Sequence, residues 1–181
     1  MLRPVLVIAV TAVLCAGVVV AALAVTKDDE PAPAPRPSPA GSTLRVEDQF
    51  TLKYPATWVR VPKAELGAGP VAGLRREAGD GQMVIQRGAK SPKSLKQLEA
   101  ELTTRLERQL DDFKLVRAST TEIAGERSLS YTFVRTKSGQ AQNLTIIPAG
   151  NRTYTLSSVL AAGENEAATE VADIVRSFRP L

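Results

Sequence analysis

Asp80, Glu101, Asp111, Asp112 and Glu126 are the side chains in this sequence that could run acid–base chemistry. Two carboxylates flanking a glycosidic bond can hydrolyse it, one as acid and the other as base or nucleophile. No motif sets any two of these five as such a pair, and most fall in predicted turns or on the wet side of a predicted helix. Composition closes the other routes. The 181-residue chain has no histidine, which removes a Ser-His-Asp relay, a Cys-His pair and imidazole metal ligation. Its one cysteine, Cys15, lies in an apolar run near the start, so the rest of the chain has neither an intrachain disulfide nor a thiol nucleophile. The glycine-rich stretch 67–73 lacks the Gly-Lys-Ser/Thr ending of a phosphate loop and the spacing of a dinucleotide turn. Nothing has calcium-loop spacing. The reading is a non-enzyme with no cofactor and no metal; a carboxylate-based envelope hydrolase is the remote alternative.

Binding is the chemistry left. Net charge is +4, but basic residues scatter over 75–117 while Glu164, Glu166, Glu170 and Asp173 gather near the end. With 4% aromatic residues and no concentrated basic face, the chain does not read as a nucleic-acid binder. Small polar side chains alternate with large apolar ones along three consecutive segments. Ser128, Ser130 and Thr132 oppose Leu129, Tyr131 and Phe133; Asn143 and Thr145 oppose Leu144 and Ile146; Thr153, Thr155 and Ser157 oppose Tyr154 and Leu156. If the register aligns the strands, these polar residues line one face. The candidate binding surface is therefore Ser130, Thr132, Asn143, Thr145, Thr155 and Ser157, with Trp58, the only tryptophan. The bland reading of the same set is an exposed or helix-covered polar face. Lysine at 145 and 155 should then block binding and leave stability nearly intact. An alternative function is carriage of an apolar small molecule or lipid in a helix–sheet pocket under Trp58 and the Leu95–Leu106 stripe.

The elements that would position these residues follow from periodicity. Phe50, Leu52 and Tyr54 alternate with Thr51 and Lys53 as a half-buried strand, which Pro55 ends because it has no N–H to donate. Residues 71–77 and 82–87 flank Asp80-Gly81, a hairpin signal. Ser94 opens a helix whose stripe is Leu95, Leu98, Leu102 and Leu106, with Glu101 and Arg105 spaced as an i,i+4 pair. Strands are predicted at 113–121, 127–135, 140–147 and 152–160, the last three an antiparallel meander. A closing helix over 164–177 buries Val171, Ile174, Val175 and Phe178. The fold class is α+β: a central antiparallel sheet of about six strands flanked by helices.

Residues 5–25 are almost wholly apolar, and a helix of that length spans about 31 Å, matching a bilayer core. Arg3 lies before the run, which places the C-terminal side outside the cell. Residues 1–26 thus read as a transmembrane anchor, with a cleavable signal ending near Ala24 as the alternative. Cys15 follows Leu14 instead of a small residue, so it does not read as a lipidation site. Residues 27–43 are a proline-rich, semi-rigid spacer. The roughly 140 residues from 44 to 181 suffice for one domain with a proper core.

The run Phe-x-Leu-x-Tyr-Pro-x-x-Trp over 50–58, Ile-Ala-Gly-Glu-Arg from Ile123 into a strand, and an acidic last helix ending Ile174-Val175-Arg176-Ser177-Phe178 together resemble the PsbP-like domains, including DcrB-type and LpqN-type envelope proteins. The resemblance covers residues 44–181. It implies a central antiparallel sheet with helices on its faces, an α/β/α sandwich, and a non-enzymatic role as an accessory or binding module on a larger membrane or extracytoplasmic assembly. The partner it leaves open is an envelope protein or a small ligand, with the membrane reached through the N-terminal helix and no nucleic acid.

Overall fold

The computed structural model describes residues 41–181. The expected anchor and most of the spacer lie outside the described residues. Among the described residues no helix is long and apolar enough to cross a membrane.

Among the described residues ten strands and two helices follow in the order β1 (Ser42–Val46), β2 (Phe50–Tyr54), β3 (Trp58–Arg60), β4 (Pro70–Arg76), β5 (Gly81–Ala89), α1 (Leu95–Gln109), β6 (Phe113–Ile123), β7 (Glu126–Arg135), β8 (Ala141–Ala149), β9 (Arg152–Leu160), α2 (Asn165–Arg176) and β10 (Arg179–Pro180). A single 3-10 turn, Lys63–Glu65, sits between β3 and β4. The α+β class and the meander hold. The expected central antiparallel sheet of about six strands is present with seven, and a smaller sheet that was not expected accompanies it. Seven strands form one antiparallel sheet, β3-β4-β5-β9-β8-β7-β6, and β1, β2 and β10 form a second. The reason is one-sided burial. Leu44 pairs with Leu52 and Val46 with Phe50, so the hairpin's apolar side chains share one side. That side buries into the core instead of extending the larger sheet.

Local chemistry explains the boundaries. Ser94 caps α1 by a reciprocal box: its hydroxyl accepts from the Gln97 N–H while the Gln97 side chain accepts from the Ser94 N–H. Glu101 pairs with Lys93 in place of the expected Arg105. Between β6 and β7, Ala124 and Gly125 both take positive φ (54° and 80°), the signature of a two-residue turn that matches strand twist. Between β4 and β5 the left-handed residue is Gly79, not Asp80 or Gly81. Gly81 is needed for space: a Cβ there would stand 3.1 Å from Leu160 and 3.2 Å from the Trp58 ring.

The large sheet separates two apolar clusters. One holds Phe50, Leu52, Trp58, Leu74, Ile85, Tyr154, Leu156, Ile174 and Phe178. This first face is covered by the small sheet and by α2, which packs on β2 and β9. The other cluster is smaller: Leu102 and Leu106 of α1 over Tyr131, Phe133 and Leu144. α1 lies along β6 and β7 on this second face. Of the predicted α1 stripe, Leu102 and Leu106 are buried, whereas Leu95 and Leu98 remain half-buried.

Candidate binding surface

Register decides where the polar residues go. Ser130 faces Thr145, which faces Leu156; Thr132 faces Asn143, which faces Ser158. Directly opposed residues share a face, so Ser130, Thr132, Asn143 and Thr145 belong with Leu156 on the first face. Thr155 faces Ile146, and Ser157 faces Leu144, which faces Tyr131. Thr155 and Ser157 therefore lie on the second face. The alternation read within each strand is correct, but the expected single hydroxyl-lined face does not exist.

Two of the candidates are not surface residues. Trp58 is 1% exposed, its indole ring in the main core and its Nε1–H donating to Glu170 Oε2 at 2.8 Å. Thr145 is 5% exposed beneath the elements covering the first face, so lysine there would bury a charge. Ser130, Thr132 and Asn143 are half-buried. They form the polar margin of the first face, where Thr132 Oγ1 donates to Asn143 Oδ1 at 2.8 Å. The expected pocket under both Trp58 and the α1 stripe also fails: the two belong to clusters on opposite faces of the sheet.

Thr155 and Ser157 have neighbours that sequence reasoning passed over. Val84 faces Ser157, Gln86 faces Thr155, and Ile146 faces Thr155 from the other side. With Val159 they form a half-buried patch of small hydroxyls and aliphatic groups on β5, β9 and β8. The signal was present in Gln82-x-Val84-x-Gln86, which alternates with the buried Met83 and Ile85.

The carboxylates are committed elsewhere. Arg76, 7% exposed, gathers four acidic side chains, of which Asp80 alone is among the candidates. Its guanidinium meets Asp80 at 2.7 Å, Glu170 at 2.9 Å, Glu166 at 3.1 Å and Glu164 at 3.6 Å. Glu170 also accepts from Thr57 Oγ1 at 2.8 Å. Burial works against the Arg76 charge, but Glu170 and Asp80 outweigh it and raise its pKa. The cluster clamps α2 onto the β4–β5 hairpin. Glu101 and Asp111 pair with Lys93 and Lys137 at the surface, and Glu126 is exposed at a hairpin.

Asp112 is 4% exposed and accepts from Arg135 Nε, which holds its carboxyl below the usual carboxylate range against the opposing effect of burial. A depressed folded pKa contributes stability that is present above the unfolded value and lost as pH falls through the folded one. Asp112→Asn should therefore lower the melting temperature at neutral pH and flatten its decline below about pH 4. Thermal melts of both proteins across pH 2–7 check this; parallel curves would refute it.

No protein-family model matches the chain, and no curated protein matches it by sequence. Solved structures do. The chain is similar to the cyanobacterial PsbP protein CyanoP of Synechocystis sp. PCC 6803, at 12% identity over 78% of this chain and 92% of that one, with a TM-score of 0.56. It is also similar to LpqN, involved in cell envelope biogenesis of Mycobacterium tuberculosis, at 17% identity over 78% and 85%, with a TM-score of 0.51. A Mog1 point mutant matches at 12% identity over 77% and 95%, with a TM-score of 0.53. The fold is PsbP-like, of the kind LpqN also has. At these identities the likeness shows the fold alone.

Proposed function

We propose that this chain is a membrane-tethered, extracytoplasmic binding or accessory module of the bacterial cell envelope, acting by contact and not by turnover. The observation that carries this reading is the part of the second sheet face that α1 leaves uncovered among the described residues. There Val84, Ile146, Thr155, Ser157 and Val159 sit half-buried beside the α1-covered strands. Short, stiff side chains on a rigid sheet lose little rotamer freedom when a partner covers them. The partner that fits is an envelope protein presenting a flat, mixed apolar and polar surface. The apolar run 5–25 and the proline-rich spacer support tethering, with Arg3 setting the outward orientation of the domain. The fold shared with LpqN supports the envelope setting.

A photocrosslinking residue at Ser157, on the same face, expressed in intact cells, should capture a partner that is lost when Thr155→Lys is added. The lysine variant should stay folded, with a cooperative unfolding transition. An unchanged set of captured proteins after Thr155→Lys would overturn this surface. Thr145 cannot serve in the same test, because lysine at that buried position reports on folding.

A further inference from the structure

We propose that β6 is a self-pairing edge, through which two copies of this chain join antiparallel about a twofold axis at Thr120. β6 ends the large sheet: β7 pairs with it on one side, and no strand flanks it on the other among the described residues. It is long, and its side chains from Lys114 to Arg117 and from Thr120 to Glu122 are exposed. An open edge of this kind is a template for another strand, and proteins usually blunt it with bulges, prolines, inward charges or a cover. One blunting device is present: the register shift between Leu115 and Arg117. It leaves Arg117–Ile123 in unbroken register with β7 and free of proline.

That stretch is complementary to itself. With Thr120 facing Thr120 of the partner subunit, Ser119 faces the partner's Thr121, Ala118 faces the partner's Glu122, and Arg117 faces the partner's Ile123. The centre is neutral and built of small hydroxyl residues, whose cross-strand pairs are favourable. No like charges meet. Centring the axis on Arg117 or Glu122 would instead set identical charges face to face. The seven-residue regular stretch, bounded by the bulge and by the Ala124-Gly125 turn, is used in full only when Thr120 is central. Leu115 (38% exposed) and Val116 (58%) are two of the three large apolar side chains left exposed among the described residues. They come next along the strand, level with the partner's Ala124-Gly125 turn, and the pairing would shield them. A second copy is thus the occupant that the charges and the exposed apolar residues fit, and the product is one continuous fourteen-stranded sheet with isologous symmetry.

The test uses the full chain in detergent with Cys15→Ser, so that an introduced cysteine is the only thiol. Opposed residues of an antiparallel pair lie about 4.5–5.5 Å apart, within disulfide range. Thr120→Cys should form a disulfide-linked dimer on mild oxidation. Glu122→Cys, which this register places roughly 13 Å from its own copy, should not. Thr120→Lys sets two lysines against each other at the axis; it should abolish the dimer in light scattering while the single chain keeps a cooperative unfolding transition, since Thr120 is exposed. Equal crosslinking of both cysteine variants would overturn the proposal. So would a single-chain mass at tens of micromolar for the Cys15→Ser protein, or capture in intact cells of a different protein in place of the second copy.

Discussion

Arg76→Met is expected to destabilise the domain by about 3–5 kcal/mol, the range seen when one partner of a buried ion pair is removed. Methionine keeps much of the volume, so the loss is electrostatic. Four carboxylates around one guanidinium become four with no cation between them, and Glu170, with a side chain only 14% exposed, cannot recover its hydration. Glu170 also anchors the Trp58 indole and Thr57, so the seam between α2 and the hairpin should open first. One sign distinguishes this mechanism from a packing defect. Adding Glu170→Gln should restore part of the loss, because an amide keeps the shape without the charge. Urea denaturation of the single and double variants, followed by the fluorescence of the single tryptophan, measures this. A double variant no more stable than Arg76→Met would refute the electrostatic account.

Phe178→Ala is expected to lose a similar amount, about 3–5 kcal/mol, by cavity formation. Phe178 is fully buried and belongs to an aromatic triad, with ring centroids 5.1 Å from both Phe50 and Tyr154, which are themselves 5.6 Å apart. It joins three separate elements: β2, β9 and the segment between α2 and β10. The neighbours cannot collapse into the vacated space easily, because β10 is held to β2 by strand pairing and the Leu181 N–H donates to the Gln49 carbonyl at 2.9 Å. Phe178→Leu should lose markedly less. Equal losses for alanine and leucine would show that ring contacts, not volume, hold this corner together.

Both predictions rest on contacts that sequence periodicity could not supply. Val171, Ile174 and Phe178 were legible as an apolar stripe, because helical spacing is a local property. That the stripe packs on β2 and β9, and that Glu170 reaches Arg76 across 94 positions, depends on chain closure. Trp58 shows the same limit. A lone tryptophan after a strand corner suits either a binding platform or a core anchor, and only its 1% exposure and its bond to Glu170 separate the two.

The candidate surface divides along this line. Within β7, β8 and β9, the residues that point together were readable from alternation alone, since side chains in a strand repeat every two positions. Whether the polar set of one strand joins the polar set of the next depends on register, and a shift of one residue exchanges the faces. Here the register places Thr145 opposite Leu156 and Ile146 opposite Thr155, so the Thr155 and Ser157 hydroxyls of β9 face away from the polar set of β7 and β8. The sequence by itself determined the strands of the meander, the two helices and the lack of histidine chemistry, because each follows from neighbours along the chain or from composition. Tertiary structure alone decided the two sheets, the buried ion cluster and which polar residues share a face, because these depend on residues far apart in the chain meeting in one particular register.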